Sequence, residues 1–321
     1  MQYTRRYWRL LGNLAALLSI LVAAVGLHAP AAWASNPPNN WSFYVASWDT
    51  NSTAQQLGCN QANYDKSVNA NSFVTLDFGA QYYTGSGTYV PSTTIYWSNS
   101  TIEAYAENFA YGYQICGSSH YLTFNVGTNN DGSVTDGALG ADWGSLVQSV
   151  ASNVSNSGYA NVIVYGAIDA EAGYGPFAHL YGWEFGDSSG PGFASRFGGL
   201  ISDFGSADGC PQSYYQDTNR VCSGDWYLSS DYEAAWGWSP NIANPEIYYD
   251  GCYGLANEPV QWANISDFGA HYGFGAIFFE GPLSQNYCLS PAQSYNDLVY
   301  SLNVDGAGVG PMPFLTQIVT K

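Results

Sequence analysis

Three observations predict an α/β fold, a single-domain, disulfide-stapled (β/α)8 barrel. Eight apolar runs of strand length recur along the chain, several separated by stretches with helical periodicity, an alternation that belongs to parallel β/α architecture. The runs are apolar on both faces, as expected of strands covered by helices outside and packed inside. The chain is also close to the roughly 250 residues typical of such barrels once an export leader is set aside. An open doubly wound sheet is the competing reading, but no G-x-G-x-x-G turn follows any of the runs.

Residues 1–34 read as a secretory signal peptide. Arg5, Arg6 and Arg9 form a positive start, LAALLSILVAAVGL an apolar core, and Ala32-Trp33-Ala34 a small-x-small processing site. Thr4-Arg5-Arg6 leaves both Sec and twin-arginine export open. A short tether, 35–40, precedes the barrel at 41–310, and 311–321 reads as a C-terminal tail. The strand candidates are FYVAS (43–47), FVTLDFG (73–79), YLTFNVG (121–127), NVIVYGAI (161–168) and GLISDFG (199–205). DWYLSS (225–230), PEIYYD (245–250) and GAIFFEG (275–281) complete the eight. Helical periodicity marks 100–116, 138–156, 257–273 and 290–303, with Ser100 ahead of Glu103 and Asn257 ahead of Trp262 as start signals. The first, fifth and sixth runs have poor helix candidates behind them.

Composition narrows the partners. Seven Lys+Arg stand against 25 Asp+Glu, a net charge of −18, and three of the seven lie in the leader. Such a chain repels nucleic acid and anionic lipid, so neither nucleic acid nor, after signal removal, a membrane is expected as a partner. With 46% hydrophobic and only 10% charged residues, a folded protein with an uncharged, hydrogen-bonding surface is expected, secreted or envelope-associated and monomeric. Six cysteines, all in the exported part, suit three disulfides in an oxidising compartment. Proximity suggests Cys59–Cys116, Cys210–Cys222 and Cys252–Cys288. No Cys-x-x-Cys occurs, so no metal is expected, and no cofactor either.

If the fold is a barrel, strand C-termini face the active-site mouth, and acids crowd there: Asp49, Asp77, Asp131, Asp169, Glu171, Asp203, Asp208, Asp231, Glu233, Asp250 and Glu280. The sharpest case is IVYGAIDAEAGYG, Ile163 to Gly175. Asp169 and Glu171 share one strand face with Ile163, Tyr165 and Ala167, their Cα atoms ~6.5–7 Å apart. Small Ala167 beneath them leaves space for a carboxyl group and a ligand. Desolvation and like charge would raise one pKa of such a pair, keeping a general acid protonated near neutrality, as glycoside hydrolysis requires. The bland alternative is a rim pair capping backbone amides.

The segment AIDAE resembles the Asp-x-Glu ending the fourth barrel strand of family-25 lysozymes and family-18 chitinases, in which the Glu is the acid and the Asp positions or polarises the reacting group. The longer D-x-x-D-x-D-x-E signature of chitinases is missing. A wider resemblance covers most of the chain after the leader, in LGC (57–59), VTLDFGAQ (74–81), YGAIDAE (165–171), FGSADGCP (204–211), PEIY (245–248), QWANIS (261–266) and GPLSQ (281–285). In these segments the chain is similar to a functionally uncharacterised family of secreted bacterial glycoside-hydrolase-like barrels. That resemblance implies a barrel with a pocket and names no substrate.

The expected activity is cleavage of O-glycosidic bonds in an extracellular or cell-wall polysaccharide. Glu171 serves as general acid and Asp169 as its partner. Asp77 and Glu280 are supporting carboxylates, the latter on a last strand taken to abut the first. Gln81 and Gln285 are candidates for binding sugar hydroxyls, and Trp48, Tyr82, Trp183, Trp236, Trp238 and Tyr249 for stacking on sugar rings. A catalytically inactive glycan-binding barrel is the alternative. Gly186-Asp187-Ser188-Ser189-Gly190-Pro191 resembles a serine-protease motif, but His120 and His179 lack the required setting. Asn129-Asn130-Asp131-Gly132-Ser133 with Asp136 reads as a surface turn rather than a calcium loop, having no Glu at its twelfth position.

Overall fold

The computed structural model describes residues 36–82, 86–131, 136–214 and 219–320; the expected leader lies outside the described residues. Within them an α/β architecture is built on a curled parallel sheet. Its strands are β1 (Asn39–Tyr44), β2 (Ser72–Gln81), β5 (Leu122–Asn129), β6 (Val162–Asp169), β7 (Ile201–Asp203), β8 (Asn241–Ala243), β9 (Leu283–Ser284) and β10 (Leu315–Thr320). The order β8-β7-β6-β5-β2-β1-β10-β9 forms a half-barrel of eight parallel strands. Each strand of this order lies beside its successor in the chain except β8 and β9, which stand at its two ends, and β10 lies against β1. A hairpin, β3 (Gly87–Tyr89) and β4 (Tyr96–Ser98), hangs antiparallel from the end of β2. Single bridges Ala243–Phe279 and Glu246–Leu283 connect the stretch following β8 with the stretch leading into β9.

Helices return the chain between strands: α1 (Asn51–Val68), α2 (Asn99–Ile115), α3 (Gly137–Asn156), α4 (Phe177–Phe185), α5 (Gly192–Phe197), α6 (Leu228–Tyr232), α7 (Glu258–His271) and α8 (Pro291–Asp305). The four helices expected from periodicity are α2, α3, α7 and α8. Asn257 caps α7 as expected, by accepting from Val260 N. The cap of α2 is Ser98 rather than Ser100.

α1 was not expected after the first strand. Its buried positions, Ala54, Leu57, Gly58, Gln61, Ala62 and Asp65, have helical spacing but are small or polar, so they carry little apolar signal. Gly58 allows α1 to lie directly on α2, since a Cβ there would sit 1.9 Å from Phe109 O. Gly112 answers from α2, where a Cβ would sit 2.0 Å from Gln55 O. Buried Asp65 accepts from Gln61 Nε2 (2.8 Å), from Tyr113 OH (2.7 Å) and from Ser72 Oγ, tying both helices to β2.

Beyond β7 the expected strand assignment shifts. DWYLSS contains the start of α6, followed by a π-helical turn at Glu233–Gly237. The sixth strand is the three-residue β8, too short to show a period. PEIYYD forms no strand and makes only single bridges, Glu246 to Leu283 and Asp250 to Asn257. The expected tail supplies β10, so β10 rather than the GAIFFEG segment lies beside β1. The expected tether likewise ends inside β1.

Both strand faces were expected to be apolar, yet the inner face is partly polar. Asn125 Nδ2 donates to Thr75 Oγ1 (3.1 Å), and Ser42 Oγ accepts from Thr75 N (2.7 Å). A small inner cluster of Ala167, Phe204, Tyr248, Leu283 and Ile318 is separate from the main core. The disulfides are Cys59–Cys116, Cys210–Cys222 and Cys252–Cys288, the three pairs expected. Among the described residues no helix is long and apolar enough to cross a membrane.

Candidate functional site

Parallel pairing brings the C-terminal ends of the strands to one end of the sheet. Tyr44 on β1 pairs with Asp77 on β2, and Asp77 with Gly127 on β5. One level higher, Asn129 pairs with Asp169 on β6. A register irregularity between Asp77 and Ala80 breaks the β2 ladder. It turns on Gly79 (φ +81°), where any Cβ would lie 2.1 Å from Tyr89 O. Gly79 N donates to Asp77 Oδ1 at 2.8 Å.

A cavity of about 460 Å³ opens at these ends. Tyr44, Asp77, Asp169, Asn129, Tyr174, Gln285 and Trp48 are among the residues that line it. Asp77 is 1% exposed, and burial pushes its pKa up to about 7. Asp169 Oδ1 is buried and accepts no hydrogen bond. Burial raises the pKa of Asp169 well above the carboxylate range, reinforced by the charges of Glu246, Glu171, Asp77 and Asp203. The space expected above Ala167 has a floor, because Phe204 and Tyr248 pack there.

Glu171 stands to one side of Asp169. Asn130 clamps its backbone, donating from Nδ2 to the carbonyl (3.0 Å) and accepting the amide on Oδ1 (3.1 Å). Ser206 Oγ donates to Glu171 Oε1 at 2.5 Å. Burial raises the pKa of Glu171, against the lowering effect of the Ser206 bond. Tyr174, 47% exposed at the cavity, has its hydroxyl pushed up to about 12, chiefly by the Glu171 charge. The pair is therefore split: Asp169 forms part of the cavity wall, while Glu171 lies behind that lining, with its charge acting on Tyr174, which does line it.

Three further acids complete the group: Glu246 and Glu258, which sequence reasoning left out, and Asp203, expected at the rim but given no role there. Glu246, 5% exposed, accepts from Tyr248 OH, whose oxygen lies 3.2 Å from Tyr44 OH. Burial and then Glu171 raise the Glu246 pKa well above normal. Glu258 accepts the amides of Tyr248 and Tyr249 (2.9 Å for the latter), shaping the loop that presents Glu246, and burial pushes its pKa up to about 8. Asp203 Oδ1 accepts from Gly205 N (3.0 Å) and Ala170 N (3.3 Å), with its pKa raised to about 7 by burial. The segment PEIY was visible as a point of resemblance, but reading it as strand put Asp250, which is exposed, at the rim in place of Glu246.

Other expected site residues lie elsewhere. Glu280 lies on the stretch joined to β8 through Ala243, two places from β1, and its electrostatic neighbour is Tyr165 rather than Asp169. Gln81 is fully buried, donating to Leu139 O (2.8 Å) and accepting from Trp183 Nε1 (2.9 Å). Trp183 itself is core, stacked on Phe193 at 5.3 Å. Trp236 and Trp238 precede β8 and line a separate cavity with Tyr232 and Phe274, beyond the N-terminal end of that strand. Tyr82 packs edge-on against Tyr89 and Tyr96 of the hairpin. Tyr249 packs edge-on against Tyr248 and Tyr287.

Some rim acids cap turns or helices: Asp49 accepts from Ala46 N (2.9 Å), and Asp136 caps α3 through Leu139 N (3.1 Å). Residues 132–135 of the calcium-loop candidate lie outside the described residues. In the protease-like motif, Asp187 accepts from Ser189 N, Ser189 Oγ and Gly137 N, which makes it a loop pin. Among the described residues the His, Cys, Asp and Glu group close enough to share an ion is Cys210, Cys222 and Asp231, and its two sulfurs are bonded to each other.

The site thus presents several desolvated carboxyls, with no Lys, Arg or His among the described residues of the cavity wall. Such a set can hold protons at neutral pH and release them to a bound group. No family model matches this chain, and no curated protein or solved structure shows significant similarity to it.

Proposed function

We propose that the protein is a secreted glycosidase of (β/α)8-barrel type, the bridges at Ala243 and Glu246 joining the two ends of its sheet, and that it hydrolyses an extracellular or cell-wall polysaccharide. The observation that carries this reading is Asp169, placed in the wall of a cleft with a buried, unpartnered oxygen and electrostatically linked to Glu171, whose pKa burial also raises. Glu171, the general acid, gives its proton to the glycosidic oxygen as the C–O bond breaks. Asp169, ionised by passing its proton to solvent water as the sugar binds, stabilises the positive charge that develops; water then attacks the anomeric carbon and its released proton returns to the Glu171 carboxylate. Glu246 and Asp77 keep protons near Asp169 and tune its ionisation. Trp48 at the mouth offers a face for a sugar ring, and Gln285 an amide for its hydroxyls. Three disulfides suit an exported protein.

A binding-only barrel is the second reading, favoured by the engagement of Glu171 Oε1 with Ser206. Screening the wild-type protein on a glycan panel, then testing Glu171→Gln on every responsive glycan, separates the two. A glycosidase loses turnover by about 10²-fold or more in the variant while still binding. Binding without wild-type turnover supports the lectin-like reading, and an unchanged rate removes Glu171 from catalysis.

A further inference from the structure

The Asp169 cleft does not end at its own wall. A second cavity of about 650 Å³ lies along the β3–β4 hairpin, reaching Ala80, Tyr89 and Thr94. The two share Val90, Pro91, Ser92, Thr93, Asn129 and Asp131 as lining. Six common residues make the two cavities neighbours on the hairpin turn, so that a ligand longer than either can run from one to the other along that wall. Each part falls in the range of about 300–1,000 Å³ that holds a small ligand, so together they exceed what one sugar ring fills. Aromatic rings stand at both ends, Trp48 (67% exposed) beyond the Asp169 part and Tyr89 (37% exposed) on the hairpin. Tyr89 is braced by Tyr82, its ring centroid 5.2 Å away.

The titratable side chains of this groove are acidic among the described residues. Asp77, Asp131 and Asp169 line it, and no described Lys, Arg or His lines either part. Asp131 is exposed on the shared wall, and the whole chain is at −18. An anionic glycan is repelled along the full length of such a groove, while a cationic one is drawn in. An ammonium group near Asp77 or Asp169 also favours their ionised forms, offsetting part of the desolvation that raises their pKa values.

We infer that the groove binds a chain of several sugar units bearing free amino groups, a cationic amino-sugar oligomer, with subsites running from Trp48 past Asp169 to Tyr89. This rests on the saccharide reading of the Asp169 cleft and names its substrate class. The test is calorimetric titration of the wild-type protein with β-1,4-linked glucosamine oligomers, dimer to hexamer, and with their N-acetylated counterparts. Affinity for the glucosamine series rises about tenfold or more from dimer to hexamer as the groove fills. The glucosamine hexamer binds about tenfold tighter than its acetylated counterpart at low salt, and that ratio collapses near 1 M salt, where the Debye length is about 3 Å. Asp131→Asn narrows the ratio severalfold, and Tyr89→Ala weakens the hexamer but not the dimer. Equal affinity for the charged and acetylated hexamers, or no gain with length, overturns the inference while leaving the saccharide reading in place. Silence of both series together with the whole glycan panel overturns both.

Discussion

Replacing Asp203 by Asn should make the protein more stable at pH 8 and leave it about 1 kcal/mol less stable at about pH 4. Asp203 is 2% exposed, and burial raises its pKa from 3.8 to about 7. In the unfolded chain the same carboxyl releases its proton near ~3.9. Below that value both states are protonated and the group favours neither. Between about pH 4 and 7 the native state alone keeps the proton, so each unit of rising pH costs the fold about 1.4 kcal/mol. Over some three units the loss reaches about 4 kcal/mol and is complete above about pH 7. Asn cannot ionise, yet its carbonyl oxygen can still accept from Ala170 N and Gly205 N. Exchanging acid for amide at those two bonds costs about 1 kcal/mol at every pH. Urea midpoints for both proteins at pH 4, 6 and 8, with slopes compared, measure the difference. A stability gap that does not change with pH, or a variant that falls behind as pH rises, would refute buried protonation of Asp203.

Other expectations follow the same physics. Asp77 and Glu258, with pKa values raised to about 7 and about 8, shift the wild-type optimum the same way. The melting temperature should therefore be highest in mild acid and decline from pH 5 to 8; a maximum at pH 8 would contradict it. Asn130→Ala frees the backbone of Glu171, so turnover on an active glycan should fall about tenfold or more while stability drops by about 1–3 kcal/mol. Equal falls in turnover and in the folded fraction would reduce Asn130 to a structural residue. Replacing Cys59 and Cys116 by Ser opens a 57-residue span and should cost about 4 kcal/mol, against about 3 for the 12-residue span of Cys210–Cys222. Denaturant midpoints that rank the two the other way would show that chain entropy is not the main effect. Gly58→Ala pushes a methyl into Phe109 O and should destabilise by about 1–3 kcal/mol, read from the same midpoints.

Strands rich in branched and aromatic residues could be read directly: β2, β5 and β6 lie where their apolar runs are. The three disulfides also followed simple proximity along the chain. α1 escaped because its inner face is Ala, Gly, Gln and Asp, whose burial depends on α2 and β2 folding over it. β8 and β9 are too short for a period to exist, and they are strands because β7 and β10 present unpaired edges to them. Once DWYLSS and PEIYYD had been taken as strands, eight were already counted, and LTQIVT at 315–320 was left as a tail. That single shift moves Glu280 one strand toward β1 and hides Glu246. Gln81 and Trp183 looked like ligand-binding side chains because nothing local distinguishes an amide facing a sugar from one that ties β2 to α3 and α4.

The sequence by itself determined an acidic, cystine-bearing α/β chain with parallel strands and an Asp-x-Glu closing β6, since composition, periodicity and a strand's two-residue repeat are properties of contiguous residues. Only the tertiary structure decided which carboxyls share the cleft, that Asp169 faces it while Ser206 holds Glu171, and that the β3–β4 hairpin extends it. Those outcomes depend on desolvation and on neighbours far apart in the chain. A carboxyl on Asp77 or Glu246 becomes a proton store only when strands from distant stretches exclude water around it.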